Sequence, residues 1–385
     1  MQTGKTDARD VRNRSRRRAR LWAGVLCVAL VGGTAACAAG RAEPLPSGST
    51  EATTAAPAPS RPAQAAPSSS SSQATPPASV GTPPEPEPSV IEEAAEREPG
   101  ALARHLEALQ AAADANGGNR ADDTGGYEAS AVYVEAQLRS AGYETRRQEL
   151  SYDSVDTFNI LADTDTGSDG LLVIGAHLDS VEEGPGLNDN GSGVAAVLEV
   201  ALRIAEGSAV PRERIRFAFW GGEEDDMWGS AHYVEELSDA EADEHSAYLN
   251  VDVVGSPNAA VFVYDGDGSD TDSDGPDGSA AIEQVFLDIF RAEGVQALPV
   301  GFIGDSDYDA FVERDIPTGG LFTGDAGSKS AAEARAFGGQ AGDQYDECYH
   351  MACDTIDNVD MNVLQRMTEA LMSATASLAG IEDAP

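Results

Sequence analysis

Two short and almost uninterrupted apolar runs, Leu171–Ile174 and Phe217–Trp220, constrain the fold most strongly. Runs of this length are typical of strands that are buried on both faces of a sheet, where alternation with polar residues is lost. Between and after these runs the apolar residues recur at helical spacing. Strands that alternate with helices predict an α/β fold, namely a three-layer sandwich with a mixed, largely parallel central sheet and helices on both faces.

The remaining elements follow from the spacing of apolar residues and from glycine and polar boundaries. His105, His232 and His245 lie in ordinary polar helical or loop surroundings, so we expect all three at the surface. Helices are predicted around residues 102–109, 127–141, 192–205, 229–237, 280–294 and 361–380, and strands around 144–152, 171–175, 214–220, 247–255 and 259–265.

The N-terminus has the order of an export signal. A basic stretch, Arg12–Arg20, precedes an apolar run, Leu21–Ala36, that is shorter than the about 20 residues of a comfortable membrane span. The residues Thr34-Ala35-Ala36-Cys37 resemble a lipoprotein cleavage site. Residues 1–37 are therefore predicted to be a signal peptide, followed either by lipidation at Cys37 or by simple secretion.

The segment after the signal differs in composition from the rest of the chain. Residues 38–95 are rich in Pro, Ala, Ser, Thr and Glu, which cannot bury a core. We predict a disordered, extended linker here and a folded domain over residues 96–385.

The cysteine count agrees with export. Of the four cysteines, Cys27 lies in the signal segment, and Cys37 lies at its end. In an oxidising compartment the remaining pair, Cys348 and Cys353, is predicted to form a disulfide that closes a small loop around His350.

The chain is strongly acidic, with a formal net charge of -41 at pH 7. A surface of this sign repels nucleic acid and anionic lipid, so we expect no nucleic-acid partner. The charge is interpreted as a means of solubility or adaptation to salt; attraction of cationic substrates or of calcium is the alternative.

Histidine and carboxylate side chains follow the predicted strands. Ligands of α/β sheets bind at the carboxyl ends of the strands, and imidazole with carboxylate suits zinc better than a calcium cage. Two histidines and three carboxylates can hold two ions if one carboxylate bridges, and one further carboxylate is needed as a base. Because Glu223 and Glu224 are adjacent, one can bind metal while the other acts as the base. The candidate site residues are His177, Asp179, Asp189, Glu223, Glu224, Asp252, Tyr349 and His350.

Several quoted stretches resemble one family. The motifs "GAHLDSV", "GPGLNDNGSGVAAVLEVA", "RFAFWGGEE", "YLNVDVVGSPN" and "GDQYDECYHMACDT" are similar to those of the secreted double-zinc aminopeptidases of bacteria, of the streptomycete leucine-preferring type. The resemblance covers about residues 95–380. It implies the zinc-dependent exopeptidase fold and makes residues 96–385 the catalytic domain.

The resemblance also implies a role for each candidate residue. Two Zn²⁺ ions per chain are implied, with Asp189 as the bridging ligand, in a peptide bond to Asn190 that is cis. The substrate's free α-amine would lie near Asp305, and Phe322 would line an apolar side-chain pocket. His177 and Asp252 would bind one zinc, and Glu224 and His350 would bind the other. Glu223 would be the general base, and Tyr349 would stabilise the oxyanion. Asp179 would orient His177.

Two departures from the family pattern concern the substrate and a further metal. The family's Arg-Ser-Asp-His is replaced by "DSDY", which puts Asp305 and Tyr308 at the altered positions and leaves residue preference open. The acidic loop 265–279 begins like an EF-hand, with Asp270, Asp272 and Asp274, but has Ala281 where glutamate is expected. A calcium ion in this loop is therefore an open alternative to a flexible acidic rim.

These observations predict an exported zinc metallo-aminopeptidase. It would remove N-terminal residues, above all large hydrophobic ones such as Leu, from peptides or proteins. We expect a monomer, secreted or anchored to the membrane through a lipidated Cys37. The alternatives are a carboxypeptidase or glutaminyl cyclase on the same scaffold, or an inactive calcium-binding surface lipoprotein.

Overall fold

A computed structural model describes residues 100–165, 170–207 and 210–381. The predicted signal peptide, the predicted linker and the first residues of the predicted domain lie outside these ranges, as does Cys37. Within the described part, no helix combines the length and the apolar character that a membrane crossing needs.

The described residues form an alternating series of helices and strands. The helices are α1 (Gly100–Ala115), α2 (Gly125–Ser140), α3 (Gly191–Glu206), α4 (Trp228–Glu235), α5 (Asp239–Ala242), α6 (Ser279–Ala292), α7 (Tyr308–Glu313), α8 (Ala331–Phe337) and α9 (Met361–Leu378). The strands are β1 (Thr145–Tyr152), β2 (Val155–Asp163), β3 (Leu171–His177), β4 (Arg214–Trp220), β5 (His245–Val251), β6 (Phe262–Tyr264), β7 (Leu298–Val300) and β8 (Thr318–Phe322).

All eight strands belong to one mixed sheet in the order β1-β2-β4-β3-β5-β8-β6-β7. The four central strands, β4, β3, β5 and β8, are parallel to one another. Antiparallel pairs flank them, because β2 pairs with both β1 and β4, and β6 pairs with β8. The predicted mixed, largely parallel sheet is confirmed.

The side chains of β3 show why the architecture has three layers. Leu172 and Ile174 belong to the hydrophobic cluster on one face, which also contains side chains of α1, α2, α3, α6 and α9. Leu171 and Val173 belong to a separate cluster on the opposite face, together with side chains of α4 and α7. Alternate residues of a strand point to opposite faces, so a run that is apolar throughout requires helices on both sides.

The parallel register brings the carboxyl ends of the four central strands together. His177, the last residue of β3, lies opposite Trp220, the last residue of β4. Val251, the last residue of β5, lies opposite Leu321 of β8. Side chains that follow these residues in the chain therefore meet at one edge of the sheet.

The main omission among the predicted elements is β2. Its apolar stretch is interrupted by Asn159, which breaks both the continuous and the alternating pattern. The structure buries this side chain and satisfies it, because Asn159 donates to the carbonyl of Gly229 at 2.8 Å and to Gln148 at 3.1 Å.

The expectation of surface positions is wrong for two histidines. His105 is 5% exposed and lies 2.8 Å from the Tyr133 hydroxyl. His245 is 6% exposed and bonds to the Tyr233 hydroxyl at 2.7 Å. Tyrosine hydroxyls from the buried Tyr233 and the half-buried Tyr133 provide partners that water would otherwise supply, which a local sequence pattern does not reveal. His232 is half-buried.

Two helical valines provide a matched test of the packing. Val197 in α3 is fully buried in the main cluster, whereas Val132 in α2 is 53% exposed. We expect Val197→Ala to lower the free energy of unfolding by about 2 kcal/mol, because it removes buried methyl groups and leaves a cavity. Val132→Ala should change it by less than about 0.5 kcal/mol. Denaturant unfolding measures both, and equal losses would contradict the packing described.

Candidate metal centre

Three of the four central strands carry most of the candidate residues at or just after their carboxyl ends. His177 is the last residue of β3, the Glu223-Glu224 pair follows β4, and Asp252 follows β5 directly. His177 is almost fully buried. The residue after Asp252, Val253, has a φ of 49°, an uncommon conformation for a β-branched side chain. The chain is therefore held in a specific turn where the strand ends.

Asp189 reaches the same edge from the start of α3. Its neighbour Asn190 caps that helix, because the Asn190 side chain accepts a hydrogen bond from the N–H of Gly193 at 2.9 Å. The Asn190 side chain also donates to the carbonyl of Val251 at 2.9 Å, which joins the helix start to the end of β5. The Asp189–Asn190 peptide bond is cis, as the resemblance implied.

The Asp189 carboxylate lies between two histidines. Its Oδ1 atom is 3.2 Å from Nε2 of His177, and its Oδ2 atom is 3.1 Å from Nε2 of His350. Each histidine has further carboxylates beside it. His177 Nε2 is 3.2 Å from Asp252 and 3.8 Å from Glu223, and His350 Nε2 is 3.0 Å from Glu224.

These distances divide the candidates into two groups that share Asp189. One group contains His177 and Asp252, and the other contains His350 and Glu224. Each group thus offers one imidazole nitrogen, one carboxylate of its own and the shared carboxylate of Asp189. This combination of donors suits zinc. One Glu224 oxygen, Oε1, is buried without a hydrogen-bond partner, which fits a ligand atom awaiting a cation.

His350 is positioned by the loop between Cys348 and Cys353, whose Sγ atoms are bonded. The predicted disulfide is thus present in the structure. His350 has a φ of 56°, a left-handed conformation that a short closed loop can enforce. The Tyr349 ring stacks on the His350 imidazole with ring centres 3.9 Å apart.

Asp179 lies behind both groups. It is fully buried, and its Oδ1 atom is 3.6 Å from Nδ1 of His177. Its other oxygen accepts the backbone N–H of Glu224 at 3.1 Å. A carboxylate on the far nitrogen of a metal-binding imidazole fixes the ring's orientation and tautomer, so the predicted supporting role is compatible with this placement.

Sequence reasoning missed a second supporting carboxylate, Asp354. It accepts the backbone N–H groups of Asn188 and Asp189 at 2.9 and 3.0 Å. It also accepts a hydrogen bond from Asn358 at 3.0 Å. Asp354 therefore holds the turn that carries the shared carboxylate. Asp354 lies within the motif "GDQYDECYHMACDT", but the resemblance implied no role for it.

Two further supports were missed because they come from distant segments. Ser306 donates to Asp252 Oδ2 at 2.6 Å, which leaves Oδ1 facing His177. Arg120 is fully buried, and its guanidinium donates to the carbonyls of Pro185 at 2.8 Å and Gly186 at 2.6 Å. The guanidinium therefore fixes the loop between β3 and Asp189.

Burial and mutual repulsion set the protonation of the carboxylates before metal binds. Burial raises the pKa of Glu223 well above its usual range, and the negative charge of Asp252 adds to this effect. Burial and the charge of Asp189 raise the pKa of Glu224 to about 7. A cation at this edge would favour the charged forms, so the site is suited to hold positive charge.

The histidines respond in the opposite way. Burial alone would lower the pKa of His350, but hydrogen bonds to the carboxylates of Asp189 and Glu224 raise it to about 10. Burial also works against a charged His177, yet the carboxylates of Glu223 and Asp252 hold its pKa well above the usual value. Both imidazoles therefore carry protons that a metal would displace.

The predicted substrate contacts lie at the rim of this edge. Asp305 directly precedes Ser306, and its carboxylate accepts the hydroxyl proton of Tyr308. Tyr308 is buried, and its hydroxyl accepts the backbone N–H groups of Ile303 and Gly304 at 3.0 Å each. Tyr308 thus fixes the backbone before Asp305. Phe322 ends β8 and is half-buried.

The EF-hand-like aspartates do not gather around a common point. Asp270, Asp272 and Asp274 are exposed, and none of them belongs to a group that could hold a metal ion in the described part of the chain. The EF-hand pattern is therefore not realised by these residues. A different set from the same region, Asp265, Asp267 and Glu283, lies close together.

Comparison with known families decides the relationship. Residues 159–375 match the family model described as "Peptidase family M28", which is more than half of the chain. The chain belongs to peptidase family M28. The matched range includes every residue of the two groups at the sheet edge, so the family motifs are those that carry the site.

Named relatives are similar over most of this M28 domain. The chain is 47% identical over 224 residues to an aminopeptidase of Pseudomonas aeruginosa, covering 58% of this chain and 41% of the relative. It is 40% identical over 276 residues to leupeptin-inactivating enzyme 1 of Streptomyces exfoliatus, covering 71% and 60% respectively. The chain therefore spans only about half the length of the curated relatives that it matches.

Solved structures support the fold. The LapA aminopeptidase of Legionella pneumophila superposes with a TM-score of 0.59 at 18% identity, covering 75% of this chain and 74% of that one. A glutaminyl cyclase of Porphyromonas gingivalis superposes with a TM-score of 0.54 at 19% identity, covering 72% and 98%. The scaffold is thus shared by proteins with different names.

Zinc uptake should release protons from His177 and His350. Metal and proton compete for the same nitrogens, so zinc affinity should rise with pH until it approaches the pKa of about 10 at His350. The protonated His350 stabilises the metal-free fold at pH values below about 6.5, the pKa of histidine in the unfolded chain, and this contribution is lost as pH rises towards 10. Titration calorimetry in buffers of different ionisation enthalpy counts the protons. A zinc affinity that is flat with pH, without proton release, would contradict the arrangement.

Proposed function

We propose that this protein is an exported zinc aminopeptidase that binds two zinc ions and removes N-terminal residues from peptides. The observation that carries the proposal is the Asp189 carboxylate, whose two oxygens lie 3.2 Å from His177 and 3.1 Å from His350. The names of the M28 relatives, aminopeptidase and leucine aminopeptidase, support the same reaction class.

The residues at the sheet edge fit two zinc sites. His177 and Asp252 would hold one ion, and Glu224 and His350 would hold the other. Asp189 would bind both ions. Asp179 would orient His177 from behind. When bound, the ions supply a water of lowered pKa and polarise the substrate carbonyl.

Glu223 is the proposed general base. Its carboxylate lies 3.8 Å from Nε2 of His177, beside the group formed by His177 and Asp252. Of the neighbours Glu223 and Glu224, only Glu224 is assigned as a zinc ligand, which leaves Glu223 free to act as the base. It would take the proton of the attacking water and pass it to the leaving amine. Its raised pKa suits a group that must both accept and give a proton.

Tyr349 is the proposed donor to the oxyanion. Burial and the surrounding carboxylates, of which Asp189 is the strongest, raise the pKa of Tyr349 above its usual range. The hydroxyl therefore keeps its proton and can donate a hydrogen bond to the oxygen that gains charge in the transition state. Stacking on His350 fixes the ring beside the second group.

Selection for a free N-terminus would follow from negative charge around the first group. The substrate's α-ammonium group would meet Glu223, Asp252 and the backbone near Asp305. Phe322 is the last residue of the neighbouring strand β8. There it would line a pocket for an apolar side chain of the substrate's first residue. A preference for leucine-like residues is the proposed outcome.

The location and assembly of the protein are proposed from the sequence. The signal-like N-terminus, the disulfide between Cys348 and Cys353 and the acidic surface suit an extracellular enzyme. Cys37 would carry a lipid anchor if the cleavage site is that of a lipoprotein. A monomer is proposed.

The alternatives differ in what they require of the site. A one-zinc cyclase does not need the second histidine group, although a glutaminyl cyclase shares the fold. A carboxypeptidase needs positive charge for a substrate carboxylate, whereas the described site is lined by acidic residues. An inactive calcium-binding lipoprotein would not need both Glu223 and Glu224.

Hydrolysis of leucine anilide compared with its N-acetylated form tests the proposal directly. We expect cleavage of the free-amine substrate alone, loss of activity on chelation and recovery with zinc. A carboxypeptidase substrate and an N-terminal glutaminyl peptide should give no turnover. Cleavage of the acetylated substrate, or turnover of either of the other two without aminopeptidase activity, would overturn the assignment.

Substitution of the proposed base separates catalysis from folding. Glu223→Gln should lower kcat by about 10²–10⁴-fold while leaving zinc content unchanged, because it removes the proton acceptor and keeps the side-chain shape. The matched control is Glu183→Gln, at an exposed position in the loop before α3. The control should keep wild-type kcat. Full turnover by Glu223→Gln would exclude the proposed mechanism.

A further inference from the structure

We propose that Asp265, Asp267 and Glu283 form a calcium site separate from the zinc centre. One carboxylate oxygen of each residue lies within 4.8 Å of those of the other two. Asp265 directly follows β6, whereas Glu283 lies in the first half of α6, so the three ligands join two elements on either side of the acidic loop.

An unpartnered oxygen distinguishes this cluster from an ordinary acidic surface. The Asp265 side chain has no exposed surface. Its Oδ2 atom accepts the backbone N–H groups of Asp270 at 3.0 Å and Thr271 at 2.6 Å. Its Oδ1 atom is buried and has no hydrogen-bond partner. A buried carboxylate oxygen without a partner is costly unless a cation occupies the space beside it.

The other two carboxylates are held so that they face the same point. Glu283 is 9% exposed, and its Oε2 atom accepts the N–H of Gly266 at 3.0 Å. Asp267 is exposed, and its Oδ1 atom accepts the N–H of Ser269 at 2.9 Å. The backbone that carries Asp265 and Asp267 is thereby fixed relative to α6, and Asp267 leaves the site open to solvent.

The donor set selects the class of ion. Three carboxylates supply only hard oxygen ligands, and within the described residues no Lys, Arg or His forms an ion pair with any of them. Calcium accepts such ligands in flexible arrangements together with water, whereas magnesium demands a stricter octahedron and zinc prefers imidazole or thiolate. The site is therefore predicted to take Ca²⁺ in preference to both.

Binding would stabilise the loop and the segment that it contacts. Ser273 in the loop donates to the carbonyl of Phe302. The Phe302 ring stacks on Tyr264, with ring centres 5.0 Å apart, and packs edge-on against Tyr308. Tyr308 in turn fixes the backbone before Asp305. An ion at Asp265 would therefore stabilise the fold beside the sheet edge without belonging to the zinc centre.

The experiment uses the zinc-loaded protein, so that calcium cannot enter the zinc centre. Calcium chloride is titrated by calorimetry, and thermal unfolding is followed with calcium, with magnesium and with neither. We expect one calcium ion per chain and a rise in Tm of about 5 °C at roughly 100 times the Kd. Magnesium should give a much smaller shift.

Three substitutions decide which residues bind the ion. Glu283→Gln keeps the acceptor for Gly266 and removes a charged ligand, so it should weaken calcium binding at least about tenfold and abolish the Tm shift. Asp272→Asn, at an exposed position in the same loop, changes the net charge by the same amount as Glu283→Gln. It should leave the calcium affinity and the Tm shift unchanged. Asp267→Asn should behave like Glu283→Gln and provides an independent check on a side chain whose exposure favours normal folding.

Three results would overturn the proposal. The first is absence of calcium binding to the zinc-loaded wild-type protein. The second is undiminished binding and an undiminished Tm shift in Glu283→Gln and Asp267→Asn. The third is an equal loss in Asp272→Asn, which would identify the effect as general attraction of a cation to an acidic surface.

Discussion

The sharing of one buried carboxylate by two imidazoles is the interaction on which the rest of the site depends. Asp189 is 4% exposed, and each of its oxygens faces a different histidine. Such an arrangement needs a fixed backbone, because a small displacement would break one of the two contacts. The capping residue Asn190 fixes it from the helix side, and Asp354 fixes it through two backbone N–H groups.

The same constraint explains why the surrounding support is buried and polar. Several carboxylates within a few ångströms repel one another in a medium where charge is poorly screened. The structure relieves this with proton-bearing histidines, with backbone N–H groups and with the guanidinium of Arg120. The hydrogen bond from Ser306 then fixes which oxygen of Asp252 faces His177, and the hydrogen bond from the Glu224 N–H fixes which oxygen of Asp179 faces the far nitrogen of that imidazole. A fold built this way is suited to bind divalent cations as it forms.

The sequence predicted the candidate metal ligands at the sheet edge better than the residues that hold them in place. His177, Glu224 and Asp252 could be found because each follows an apolar strand, and parallel strands bring their carboxyl ends together. The partners Arg120, Ser306 and Asp354 could not be found in this way, since their hydrogen bonds join segments that are remote in the chain. The surface prediction for His105 and His245 failed for the same reason, because each is buried by tertiary contacts that include a tyrosine hydroxyl. The EF-hand spacing of the acidic loop was misleading, since the carboxylates that cluster include Glu283 from the following helix.

The most direct test of the shared-carboxylate centre is a zinc titration of the chelated protein, with leucine-anilide hydrolysis and bound metal measured at each step. We expect activity to reach its plateau only when two zinc ions are bound per chain, because in the proposed mechanism Asp189 holds both. Asp189→Asn, which removes the shared charge, should bind zinc weakly and regain little activity. A plateau at one zinc per chain, with no further gain from a second, would contradict the shared-carboxylate centre.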